Sequence, residues 1–172
     1  MRECHGHPIQ ITFVKKISSG LGVLRLIRDS ISLETAFTLY NALVLQYFDY
    51  CDVVWDNMSK TSAVRLQKLQ NLAARIITKS NYDIRSRDIL HSLGWDNLHD
   101  RRTKHKALMM FKSLNGLAPQ GLKELFNYHK TNYNLRNGER CISLPKHRTE
   151  YLKRAFSYDG AKLWNSLSKI ND

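Results

Sequence analysis

The chain lacks most of the features that would assign it a chemistry. No apolar run reaches the ~18 residues that a membrane-spanning helix needs, because Asp, Asn, Gln or Lys interrupts each one first. No transmembrane span is expected. The opening Met1-Arg2-Glu3-Cys4-His5-Gly6-His7-Pro8 holds no apolar block of the kind a secretory leader carries. Cysteine is sparse: Cys4, Cys51 and Cys141 are odd in number and widely spaced. That argues against a disulfide framework and for reduced thiols in an intracellular compartment, nuclear or cytoplasmic.

Carboxylates are scarce where catalysis would need them. A nuclease or polymerase that works through two metal ions requires clustered acids to hold them. Asp49 and Asp52 are the only close acidic pair beside an apolar run, and there is no Asp-Asp dipeptide. They read as acids at a helix end. Cys4, His5 and His7 lack the second pair of ligands that would complete a tetrahedral metal set. No Gly-x-Gly-x-x-Gly, Gly-Lys-Ser/Thr or Gly-x-Ser-x-Gly motif occurs. No catalytic, metal-binding or cofactor-binding residue is assigned, and the chain as it stands is not expected to be an enzyme.

Positive charge is abundant. The 172 residues carry 27 Lys and Arg against 15 Asp and Glu, a formal charge of +12. Residues 1–60 are balanced, with six basic and six acidic side chains. Residues 61–122 carry eleven against four, and residues 123–154 eight against three. A neutral packing half followed by a cationic half suits a polyanionic partner; solubility alone is the plainer alternative. Apolar content of 42% and aromatic content of 10% mark a folded protein.

Periodicity makes the chain mainly α, an irregular helical bundle. A first helix over 9–28 shows Val14, Ile17, Leu21 and Leu24 at helical steps, with Gly20 and Gly22 suited to a close helix contact. The organising element is the stretch from Ser32 to Trp55, capped by Ser32. Its expected inward face is Ala36, Tyr40, Leu43, Tyr47, Cys51 and Val54, widened by Phe37, Val44 and Phe48 so that the helix is covered on more than one side. A third helix to Thr78 shows Leu66, Leu69, Ala73 and Ile76 inward. Arg65, Lys68, Arg75 and Lys79 form a cationic stripe beside that seam. The stripe fits a phosphate backbone and an ordinary solvated face equally well.

A short helix with Ile89 and Leu90 inward ends at Gly94. A longer one, capped by Asp96 or Asn97, runs to Leu114 with Leu98, Leu108, Phe111 and Leu114 as its expected core face. Arg101, Arg102, Lys104, His105 and Lys106 crowd its first half. Cations there oppose the helix dipole, which favours a binding role. Tyr128 to Glu139 reads as a loop. Cys141–Leu144 and Arg154–Tyr158 read as short strands, a small β-hairpin-like element near the C-terminus. Tyr151, Phe156 and Tyr158 alternate with Lys153 and Arg154; one buried strand face explains this better than base stacking.

Several of these segments, taken in order, resemble the thumb and C-terminal tail of non-LTR (LINE, jockey-like) retrotransposon reverse transcriptases. The residues are Lys15-Lys16-Ile17-Ser18-Ser19-Gly20-Leu21-Gly22, Leu39-Tyr40-Asn41-Ala42-Leu43-Val44 and Phe48-Asp49-Tyr50-Cys51-Asp52-Val53-Val54-Trp55. Downstream come Leu66-Gln67-Lys68-Leu69-Gln70-Asn71, Leu93-Gly94-Trp95, Leu114-Asn115-Gly116-Leu117-Ala118-Pro119 and Gly160-Ala161 with Leu163-Trp164-Asn165-Ser166-Leu167. The resemblance spans about residues 10–168. It divides the chain into a poorly matched segment (1–14), thumb-like helices (15–58), a basic helical region (59–127), and a loop with short strands and a terminal helix (128–172).

The resemblance implies a catalytically incomplete fragment of an RNA-directed DNA polymerase. The family's palm carboxylates and fingers would lie upstream of Lys15 and are missing here. It also implies a partner, RNA or an RNA–DNA hybrid gripped by its backbone. The expected contacts, chosen from the cationic pattern, are Arg65, Lys68, Arg75, Lys79, Arg101, Arg102, Lys104 and Lys106. The competing expectation is a helical protein-interaction or structural module whose basic face is only solvated.

Overall fold

In the first helix, α1 (Pro8–Ile27), Ile17, Leu21 and Leu24 recur at steps of four and three and are buried together. The computed structural model describes residues 8–128 and 141–168. They fall into two compact units. The first holds residues 8–52 and 58–101; the second holds 53–57 and the described residues from 102 onward.

In the first unit α1 packs against α2 (Leu33–Tyr40), the π turn Asn41–Leu45, α3 (Gln46–Asp49) and α5 (Lys60–Thr78). The Ser32 hydroxyl caps α2 by accepting from the Thr35 amide at 3.1 Å, as expected. A Cβ on Gly20 would stand 3.0 Å from the Leu43 carbonyl and 3.2 Å from Val44, so the absence of a side chain there permits the close approach. Gly22 has open space around it and plays no such part.

The expected inward face of the organising stretch holds to Tyr40 and then continues through the widening residues Val44 and Phe48 rather than through Leu43, Tyr47, Cys51 and Val54. Beyond Tyr40, Val44 and Phe48 are buried, Leu43 and Tyr47 half-buried, and Cys51 and Val54 exposed. The π turn is the reason. It places an extra residue in one turn, so the seam advances by fours (Ala36, Tyr40, Val44, Phe48) and the three-residue steps miss it. The helix also stops at Asp49. Tyr50 is extended and Cys51 is left-handed at φ 52° before the short α4 (Asp52–Trp55).

Ser59 caps α5 through the Ser62 amide at 3.2 Å. Its buried residues are Leu66, Gln70, Ala73, Ala74 and Ile77, one position round from the expected Leu69 and Ile76. Gln70 explains the rotation, because a polar side chain occupies a core position. Its amide donates to the Asp96 carbonyl at 2.9 Å and its oxygen accepts from Gln67 at 2.7 Å. Gln67 in turn accepts from the Leu98 amide at 2.9 Å. That amide is one of the otherwise unpaired donors at the start of α7 (Leu98–Leu114). The Gln67/Gln70 pair therefore ties α5 to the turn that launches α7.

α6 (Ser86–Ser92) buries Ile89 and Leu90, and Gly94 closes the turn at φ 66°. Leu93 and Trp95 pack on that cluster. Trp95 stacks on Tyr40 with ring centroids 4.4 Å apart, sealing the edge of the first core.

The second unit is built from α7 beyond Arg101, α8 (Gln120–Lys123), α9 (Glu150–Arg154) and α10 (Phe156–Ser168). Its core is Met110, Phe126, Ile142 and Ala161, with Leu114, Phe156 and Trp164 against it. Of the expected α7 core face, Leu98 is buried and Leu114 packs on this core, but the other two residues are corrected. Leu108 and Phe111 are exposed, whereas Arg102, Lys106, Met110 and Ser113 are buried.

The β-hairpin-like element is also corrected. Arg154 ends α9 and Phe156–Tyr158 opens α10, with Ala155 extended between them, and among the described residues Cys141–Leu144 carries an isolated bridge from Ile142 to Tyr128. The Asn165 side chain supplies the pairing that a second strand would have given. It accepts from the Ile142 amide at 2.8 Å and donates to the Ile142 carbonyl at 2.9 Å. Phe156, Gly160 and Trp164 step by four along α10, so the apparent alternation of Phe156 and Tyr158 belongs to a helical period. The expected loop lies outside the described residues beyond Tyr128.

Candidate nucleic-acid interface

On α5 the residues Arg65, Lys68, Leu72 and Arg75 follow one another at steps of three and four, which places them along one side of the helix, and Lys79 follows as its left-handed C-cap at φ 54°. The ten steps from Arg65 to Arg75, at about 1.5 Å each, make the helical part of this stripe roughly 15 Å long. Arg65 and Lys68 are exposed and have no carboxylate partner among the described residues.

At its C-terminal end the stripe runs into an open groove of about 250 Å³. Arg25, Arg28, Arg75 and Lys79 line the groove, with Asp29 as its one carboxylate and Tyr82 at its rim. Arg28 is fixed by its bonds to the Ile77 carbonyl at 2.9 Å and the Ile31 carbonyl at 3.0 Å. The first of these satisfies one of the last carbonyls of α5. Arg75 donates to the Asn81 carbonyl at 2.6 Å, the Ile84 carbonyl at 2.7 Å and the Ser86 hydroxyl at 3.2 Å. It thereby shapes the loop that carries Tyr82, and its guanidinium lies 5.2 Å from the Tyr82 ring centroid.

All of these bonds end on neutral oxygens, so both arginines keep an uncompensated charge in the groove. Lys79 does meet Asp29, at 2.7 Å, but both side chains are largely in water. Lys79 holds the Asp29 carboxyl below its ordinary value, through its hydrogen bond first and its charge second. Such a surface pair exchanges readily with solvent anions.

No family model, curated protein or solved structure matches this chain. What the cations do is therefore argued from their own surroundings. Those on α7 differ sharply from those on α5.

Within the first unit Arg101 grips Asp49 with two parallel bonds, both 2.6 Å. That hydrogen bonding raises the Arg101 pKa, against a smaller opposing effect of burial. Within the second unit Arg102 donates to Asp56 at 2.7 Å, and Lys106 reaches Asp56 at 2.7 Å and also Asp159. Arg102 and Lys106 side chains are each only 6% exposed. Burial alone would push the Lys106 ammonium down, but its bonds to Asp159 and Asp56 outweigh that and leave it raised. Lys104 is exposed on the same helix.

Of the eight expected contacts, Arg65, Lys68 and Arg75 thus share one side of α5, and Lys79 stands at its C-cap beside Arg75 in the groove. Arg101, Arg102 and Lys106 are drawn into ion pairs. The opposed dipole pointed to a binding role for these cations, but carboxylates distant in sequence pair with three of them. Arg25, Arg28 and Tyr82 were not among the expected contacts. Arg25 and Arg28 read as the polar side of α1, and Tyr82 as part of a loop. Nothing in the linear pattern signals that the ends of α1 and α5 meet.

Proposed function

We propose that this chain is a thumb-and-tail fragment of a non-LTR retrotransposon reverse transcriptase that binds RNA or an RNA–DNA hybrid through phosphate contacts. The observation that carries the reading is the exposed α5 stripe, continuous with a groove where four cations face a single carboxylate. Its interface comprises Arg65, Lys68, Arg75 and Lys79; the ion-paired cations of α7 hold the fold. Contacts of this kind position a strand without reading its sequence, which suits a protein that must follow any template. The resemblance places the family's palm carboxylates upstream of Lys15, so the role proposed for these residues is binding.

A fluorescence anisotropy titration of a labelled RNA–DNA hybrid at 50 mM salt tests the reading. The wild type should bind, and a variant with Arg65→Gln and Lys68→Gln should bind at least tenfold more weakly. Equal binding by the two refutes the stripe.

A second reading is favoured by a different observation. Leu108 and Phe111 stand 57% and 49% exposed on one side of α7, an apolar surface of the sort that meets a protein partner. On that reading Leu108→Glu abolishes association with the partner and leaves nucleic-acid affinity unchanged.

A further inference from the structure

We infer that the groove at the end of α5 accepts a single-stranded nucleotide, its phosphate among the cations and its base on the free face of Tyr82. This rests on the nucleic-acid reading above and goes beyond it by naming the conformation of the strand that the groove selects.

Three features lead to it. First, the Tyr82 ring is 78% exposed, yet it is not loose. Arg75 lies over one face at 5.2 Å, and that arginine is itself held by Asn81, Ile84 and Ser86. An exposed ring backed by a fixed guanidinium is a stacking platform with one face to offer. A base paired within a helix is already stacked on both sides, so the platform serves only an unpaired one.

Second, Arg25 has no hydrogen-bond or ion-pair partner among the described residues. Arg28 and Arg75 spend their hydrogen bonds on backbone carbonyls and the Ser86 hydroxyl. Together they make a receptor for an anion, and Lys79 can leave its exposed Asp29 partner to join them. Third, the groove holds about 250 Å³, below the ~300–1,000 Å³ of pockets that engulf a whole small ligand. It is open and of a size for one link of a longer chain. An acidic peptide would satisfy the cations but gives the ring nothing planar to stack.

The test compares a twelve-nucleotide single-stranded RNA with a blunt RNA–DNA hybrid of the same length, by anisotropy at 50 mM salt. Tyr82→Ala should weaken single-strand binding about tenfold and leave hybrid binding within twofold; Tyr82→Phe should bind like the wild type. Asp29→Asn should tighten single-strand binding two- to fivefold by freeing Lys79. A 2-aminopurine in the single strand should lose fluorescence on binding the wild type and not on binding Tyr82→Ala. Because Arg75 is anchored to the backbone, it stays in place when the ring is removed.

If Tyr82→Ala affects both ligands equally or neither, the groove does not select an unpaired base, although the stripe still stands. Binding of the hybrid alone also overturns the inference. If the wild type binds neither ligand, the nucleic-acid reading itself fails and the groove with it.

Discussion

Asp56→Ala separates a structural from a binding role for the cations of α7. In the second unit Asp56 divides its two oxygens between Arg102 and Lys106, each at 2.7 Å. Both cations are almost fully buried, and Asp56 itself is 18% exposed. Removing one partner of a buried ion pair typically costs about 3–5 kcal/mol, because the other charge is left without compensation. Asp159 still holds Lys106, so the lower end, about 3 kcal/mol, applies. For a unit of this size that lowers the melting temperature by about 12 °C or more. Circular dichroism melts of wild type, Asp56→Ala and Asp56→Asn measure it; the Asn variant keeps the shape and loses the charge, and should fall between the others. If Arg102 and Lys106 were contacts for a polyanion, Asp56→Ala would leave the melt unchanged and strengthen RNA binding. A melting shift under 2 °C combined with tighter binding would refute the account of α7.

Other perturbations follow from individual contacts. Gln70→Ala removes the bond to the half-buried Asp96 carbonyl and unsettles Gln67, and should destabilise the first unit by about 1–3 kcal/mol, read from urea unfolding. Gly160→Ala puts a Cβ 2.9 Å from the Met110 sulfur and 3.1 Å from Phe156, an overpacking that should cost about 1–3 kcal/mol. Gly22→Ala meets nothing within 4 Å and should stabilise α1 by roughly 0.5–1 kcal/mol; the same thermal scan compares the two. The Lys106 pKa is raised above the ordinary 10.5, so its contribution is fully present below pH 10.5 and is lost as pH rises through the folded-state value. The melting temperature of the wild type should therefore fall above about pH 10.5 in a step that a Lys106→Met variant does not show.

Helix content was legible in the sequence because apolar spacing and end signals agree there. Ser32 and Gly94 each terminate an element where expected. Which side of a helix turns inward was less legible, and the causes are local. A π turn at Asn41–Leu45 shifted one seam by a residue. Gln70, Arg102 and Lys106 are polar residues in core positions, and periodicity counts only apolar ones. The glutamine-rich segment of α5 and the Asn165 segment of α10 stood out as family-like patterns, and both have structural duties. Gln67 and Gln70 hold the start of α7, and Asn165 pairs with the backbone of Ile142. Half of the candidate interface, the α5 stripe, was readable as a charge pattern. The groove was not, because it needs α1 and α5 to end side by side.

The salt dependence of hybrid binding tests the central claim most directly. Each phosphate neutralised releases counterions and adds about −0.9 to the slope of log K against log salt concentration. Contacts from Arg65, Lys68, Arg75 and Lys79 predict a wild-type slope of about −3 to −4, and loss of Arg65 and Lys68 should bring it near −2. A slope near zero, or one that the double variant leaves unchanged, would contradict the claim that this stripe follows a phosphate backbone.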